Sequence, residues 1–229
     1  MSKEYWKPGN MLYPVPAVMV SCARPGETPN IITVAWAGTI CSDPAQVSIS
    51  VRKERHSHDI IRDTGEFVIN LVNKRLVRAT DYCGVKSGRD VDKFAETRLT
   101  VQESRYVKAP GIEESPVNIE CKVKEVKELG SHDMFIAEVV GVTIDNQYMD
   151  DRGRFNLNAS GLVCYSHGEY FELGKKLGSF GYSVKKDGTG KKNGPAKKVV
   201  SGNKPNNQNH ASIKGTEVNR APGNRRKSK

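Results

Sequence analysis

Between residues 52 and 62 the sequence reads RKERHSHDIIR. Basic side chains, a hydroxyl and two imidazoles stand directly before an apolar helical start. Ser57 is placed as an N-cap, residues 58–63 supply the first turns, and Gly65 ends the helix. A helix N-terminus presents unpaired N–H groups and the positive end of a dipole, and so attracts phosphate. Arg52 and Arg55 add charge and forked donors just before it. His56 and His58 stand two apart, but at a helix start their side chains diverge. No cysteine or carboxylate completes a metal site at conventional spacing, and no metal is expected. The plain alternative for this stretch is a capped surface helix with solvated charges.

A second stretch, GVKSGRDVDKF at 84–94, has the same character: small residues, a hydroxyl at Ser87, and Lys86, Arg89 and Lys93 in a loop after a helix. Alone it is a polar loop; joined to the first it would close a clamp around a phosphate. A third, PNIITVAWAGTICSDP at 29–44, sets Thr33, Ala35, Trp36, Ala37 and Gly38 in a strand. Small residues there would let a flat ligand lie against the backbone. A packed core strand is the alternative.

The elements that must position these residues are mostly strands. Apolar, β-branched runs fall at 15–23, 30–40, 46–52, 66–72, 118–129 and 134–144, with a last short strand within 161–173. Their links RPGETPN, CSDPA and GSHD carry turn residues, and the last places His132 in a hairpin turn. A short helix begins at Ser57, and a second, KRLVRATDYCG, is closed by Gly84. Many strands, short connections and few helices predict a mainly β barrel with helical insertions. Without βαβ alternation there is no Rossmann sheet to hold a nucleotide.

The net charge of +10 comes from one end. Residues 184–229 hold 13 of the 36 Lys+Arg and 2 of the 26 Asp+Glu, leaving 23 basic and 24 acidic residues in 1–183. That tail has no aromatic residue and is rich in Gly, Asn, Pro and Lys. It cannot bury enough apolar surface to offset about 1–2 kcal/mol of ordering entropy per residue. The expectation is a folded domain at 1–183 and a disordered basic tail at 184–229, a tail able to contact polyanions or simply to solubilise. Five scattered cysteines without a C-x-x-C pair argue against a disulfide framework or structural zinc and for a reducing, cytoplasmic setting. No apolar run approaches the roughly 18–20 residues that span a bilayer.

The ordered motifs PNIITVAWAG, DPAQVSISVRKERHSHDIIRDTGEFVINL, SGRDVDKF and SHDMFIAEVV resemble those of flavin reductase-like proteins, in particular the flavoredoxin and ferric-reductase branch. The resemblance implies an FMN-binding split β-barrel, a homodimer whose partner subunit walls the flavin site. By motif position it implies that Asn30 and Thr33, Val34, Ala35, Trp36 and Ala37 line the ring and ribityl chain. Ser48, Ser50 and Arg52 would follow the ribityl-phosphate side. Arg55, His56 and Ser57 would bind the phosphate, with Ser87, Arg89 and Lys93 closing over it. His132 would lie at the ring edge, and Cys41 would be a second redox or metal-contacting group. Ala137 stands where the family more often has glycine. The implied activity is electron transfer from NAD(P)H to flavin and on to a small-molecule or protein acceptor. Two alternatives remain open: a flavoredoxin-type carrier that does not oxidise NAD(P)H directly, and a non-catalytic flavin- or nucleic-acid-associated protein.

Overall fold

The computed structural model describes residues 1–185. Residues 1–176 form one compact unit. Its twelve strands are β1 (Val15–Pro16), β2 (Val18–Cys22), β3 (Asn30–Val34), β4 (Ala37–Ser42), β5 (Ala45–Arg52), β6 (Glu66–Leu71), β7 (Val101–Gln102), β8 (Gly111–Ile112), β9 (Val117–Leu129), β10 (His132–Ile144), β11 (Val163–Ser166) and β12 (Glu169–Glu172). Three helices accompany them: α1 (His56–Thr64), α2 (Val77–Val85) and α3 (Lys93–Thr97). The described remainder, 177–185, contains a 3-10 turn at Tyr182–Val184. The predicted tail lies, beyond Lys185, outside the described residues.

Seven strands make one antiparallel sheet in the order β3-β2-β6-β9-β10-β5-β4. Its two edge strands, β3 and β4, are consecutive in the chain and separated only by Ala35 and Trp36. The sheet must therefore curl until its edges meet, which removes the open edges that an isolated sheet would leave. The Ser50 N–H donates to the Trp36 carbonyl at 2.8 Å and carries the β4–β5 pairing up to this seam. The mainly β split barrel expected from sequence is the fold observed. The uninterrupted strand expected over 30–40 is not: it breaks at Ala35, and its second half, β4, is largely exposed.

Period-two alternation fills the barrel. Along β5, Val47, Ile49 and Val51 are buried while Gln46, Ser48, Ser50 and Arg52 face out. The inward set joins Val18, Val20, Ile32, Val34, Phe67, Phe135 and Ala137, and Ile60 and Ile61 of α1 plug the same core. A second cluster, including Met19, Ile31, Leu76, Cys83 and Phe94, packs α2 and α3 outside β2 and β3. This is why β2 is buried along its whole length rather than alternating.

Three local expectations need correction. Ser57 is not the N-cap of α1; Arg55 is, and no side chain caps that end. Gly84 lies inside α2 rather than closing it, where a Cβ would stand 3.3 Å from the Thr33 Cβ, so its value is close helix–strand packing. His132 is not in the hairpin turn but is the first residue of β10, paired with Leu129 and Arg52. Gly65, in the left-handed conformation with its N–H bonded to the Ile61 carbonyl, does end α1.

Candidate functional site

Two of the cavities in the unit collect most of the residues singled out from sequence. The smaller, about 160 Å³, is lined by Asn30, Ile32, Glu54, Arg55, His56, Ser57, Lys86, Ser87, Gly88 and Lys93. It holds about five waters at about 30 Å³ each, and a phosphate group has five heavy atoms. The first turn of α1 forms one wall, where helical N–H groups lack intrahelical acceptors. The loop at 86–88 forms the other.

Lys93 shows what the small cavity wants. Its side chain is buried, with Nζ donating to the Ile31 carbonyl at 2.6 Å and the Cys83 carbonyl at 2.8 Å. No carboxylate stands within ion-pair distance of it among the described residues. Burial pulls its pKa below the ordinary lysine value of 10.5. A buried ammonium without a counter-charge is costly, and an anion in the adjoining cavity would relieve that cost. Ser57 is buried too, and its Oγ accepts from Asn30 Nδ2 at 2.7 Å, which orients the hydroxyl. Beneath them, burial pushes the Cys22 thiol up to about 12, so it is a neutral packing group.

Gly88 is fixed by contact. A Cβ there would come 2.1 Å from Asn30 Oδ1. The Gly88→Ala variant should displace Asn30, break its bond to Ser57 and lower phosphate-ester affinity, while the melting temperature, set mainly by the barrel core that Gly88 does not join, moves by only a few degrees. Isothermal titration beside a thermal melt checks this.

The larger cavity, about 750 Å³, lies over the seam and is lined by Ala35, Trp36, Ala37, Gly38, Ser48, Ser50, Leu129 and His132, together with Val15 and residues 9–12. Its volume suits a ring-sized organic ligand. Trp36 is braced by Tyr13, whose ring centroid is 6.1 Å away and which also approaches His167 at 4.9 Å. At the rim, His132 Nδ1 lies 2.8 Å from Ser131 Oγ. Partial burial, then the Arg52 charge, lower its pKa from 6.5, which favours the neutral imidazole.

Other residues singled out from sequence sit elsewhere. Val34 points into the barrel core. Thr33 donates its hydroxyl to the Thr80 carbonyl and so faces α2. Arg52 is exposed and pairs with Glu54 at 3.5 Å. Arg89 donates to the Glu54 carbonyl at 2.9 Å and pairs with Asp59, which holds the 86–88 loop against α1 from outside the cavity. Cys41 lines neither cavity; its thiol lies 3.5 Å from the Asp43 carbonyl on the edge strand β4. His56 and His58 part company as expected, the first on the small cavity and the second turned to Asp133.

Sequence reasoning missed Gly88 and Leu129 and the strap at 9–12. It noted Lys86 as a loop cation without placing it at the site. A glycine between Ser87 and Arg89 was the available signal for close approach. A larger cavity, about 880 Å³, lies between α2, α3 and Tyr148 and contains none of these residues. Of its three carboxylates, Glu114 and Asp145 are engaged by the Thr100 and Gln147 backbone N–H groups, and Glu96 stands beside Arg98 in the lining with no side-chain hydrogen bond among the described residues.

The flavin reductase like domain model matches residues 11–174. Flavoredoxin of Desulfovibrio vulgaris (Miyazaki F) superposes with a TM-score of 0.74 at 32% identity, over 80% of this chain and 100% of that one. Flavoredoxin from Methanosarcina acetivorans superposes with a TM-score of 0.71 at 25% identity, again over 80% and 100%. An uncharacterized protein of Archaeoglobus fulgidus is 29% identical over 160 residues, 70% of this chain and 88% of that protein. The chain belongs to the flavin reductase-like family of flavin-binding proteins.

Proposed function

We propose that the protein is an FMN-dependent oxidoreductase that takes electrons from NAD(P)H and passes them to a small-molecule or protein acceptor. The observation that carries the choice of FMN is the buried, uncompensated Lys93 beside a phosphate-sized cavity that also presents Arg55, Lys86, Ser57 and Ser87. A flavin without phosphate would leave that charge unanswered. Bound FMN supplies a ring that accepts hydride and releases electrons.

The chain's own residues bind and position. Arg55, Lys86 and Lys93 neutralise the phosphate, and the Asn30–Ser57 bond sets a hydroxyl beside it. Ser48 and Ser50, facing out from β5, run between the phosphate side and the seam and orient the ribityl chain. Trp36 and the small residues beside it flank the ring, and His132 offers a hydrogen bond at its rim. The open side of the ring cavity is where a second copy of the chain would complete the wall, and the setting is cytoplasmic.

Similarity to two flavoredoxins favours one further reading, an electron carrier that is reduced by a partner protein instead of by NAD(P)H. Anaerobic addition of NADH or NADPH to the FMN-loaded protein separates the two. Rapid bleaching of the flavin absorbance is expected for the reductase. A spectrum unchanged by either nucleotide, yet bleached by dithionite, would assign the carrier.

A further inference from the structure

Just behind the small cavity lies a charge cluster that touches neither cavity's contents. Asp133 is fully buried, and its Oδ2 lies 2.8 Å from His58 Nε2. Lys53 Nζ stands 3.3 Å from its Oδ1 and Arg62 3.6 Å from its Oδ2. The other imidazole nitrogen, His58 Nδ1, lies 3.1 Å from Asp59 Oδ1, and the ring meets Phe135 edge-on at 5.5 Å. Burial alone would raise the Asp133 carboxyl, but the bonds from His58 and Lys53 outweigh it and hold the group below the usual range. A buried polar contact of this kind is seldom worth more to stability than well-packed apolar residues, and its best-attested use is fixing a register.

The register concerned can be read from the neighbours. His58 follows Ser57 on α1, and successive helical residues are turned about 100° apart. Ser57 thus faces the phosphate cavity while His58 faces the barrel. Asp133 follows His132 on β10, and successive strand residues point to opposite faces. His132 thus faces the ring cavity while Asp133 faces α1. The contact joins the residue behind each cavity's own contact.

We propose that His58 and Asp133 are positioning residues for the flavin: they lock the start of α1 against the start of β10. The phosphate cavity and the rim residue His132 thereby keep the separation that one FMN molecule requires. This rests on the FMN reading above. The helix end can shift only at the expense of the phosphate contacts, so loss of the couple penalises FMN and spares riboflavin, which has no phosphate.

The test is titration of the apo-protein with FMN and riboflavin in wild type, His58→Ala, His58→Gln and Asp133→Asn. His58→Ala is expected to weaken FMN by roughly ten-fold, the order of loss seen when a supporting partner is removed from behind a first contact. Riboflavin should change by less than two-fold, and His58→Gln, whose amide can still donate to Asp133, should restore most of the preference. Asp133→Asn, whose amide can still pair with His58, should keep most of the preference; should His58→Ala not fold, the similarly sized His58→Leu, which has no donor, carries its expectation. A wild-type FMN preference kept intact in folded His58→Ala or His58→Leu, or an equal loss of both flavins, would overturn the couple. Absence of any FMN preference in wild type would instead overturn the phosphate assignment beneath it.

Discussion

Replacing Arg55 and Ser57 together by alanine is expected to weaken FMN about a hundred-fold or more. Each hydrogen bond to a charged group contributes about 1.5–3 kcal/mol, and about 1.4 kcal/mol is a factor of ten. Both residues line the 160 Å³ cavity, and Ser57 also receives the Asn30 bond. Riboflavin, lacking the phosphate, should bind the variant nearly as well as the wild type. Arg55 is half-exposed and caps α1 through its backbone alone, so its truncation should leave the fold in place. Fluorescence titration of the two flavins reads the ratio directly. Parallel weakening of both would show that the cavity does not hold the phosphate.

The second large effect concerns His132. Its ring lines the cavity over the seam, and burial and then Arg52 lower its pKa from 6.5, which favours the neutral form. A positioned hydrogen-bonding group at a reacting centre contributes on the order of 10²-fold or more when it transfers a proton; a group that only orients contributes less. His132→Ala is accordingly expected to slow reduction or acceptor turnover by about ten-fold with FMN still bound. Stopped-flow reduction of the loaded variant checks this. Because burial and Arg52 lower the His132 pKa from 6.5, any step in the rate that disappears in the variant should fall on the acid side of pH 6.5; a step at higher pH would contradict this placement. Cys41→Ser, on an edge strand outside both cavities, should leave the rate unchanged unless the acceptor is a metal or a disulfide.

Alternation and turn chemistry made the barrel legible. The runs at 46–52 and 118–129 became β5 and β9 within a residue, and Asp43 and Pro44 form the turn between paired Ser42 and Ala45. The break at Ala35 was not legible. The eleven-residue run 30–40 is β-branched at 31–34 and weakened by Ala35, Ala37 and Gly38 beyond, but the place of the bend is set by the closing of the sheet, a tertiary demand. The same limit explains Val34: strand periodicity is readable, but which face turns to the core depends on that closure. The lining of the small cavity was largely legible because it draws on residue types packed into short segments, Arg55 to Ser57 and Lys86 to Lys93. The Ser57 cap failed for a related reason, since Asn30, 27 positions away, claims its hydroxyl. The His58–Asp133 contact, spanning 75 positions, has no sequence signature at all.

The most direct test of the central claim is a comparison of FMN and riboflavin binding to the wild-type apo-protein by isothermal titration. FMN is expected to bind at one per chain and at least about a hundred-fold more tightly than riboflavin, the difference made by two or more charge-assisted bonds to the phosphate. Equal affinity for the two flavins, or no binding of either, would contradict it.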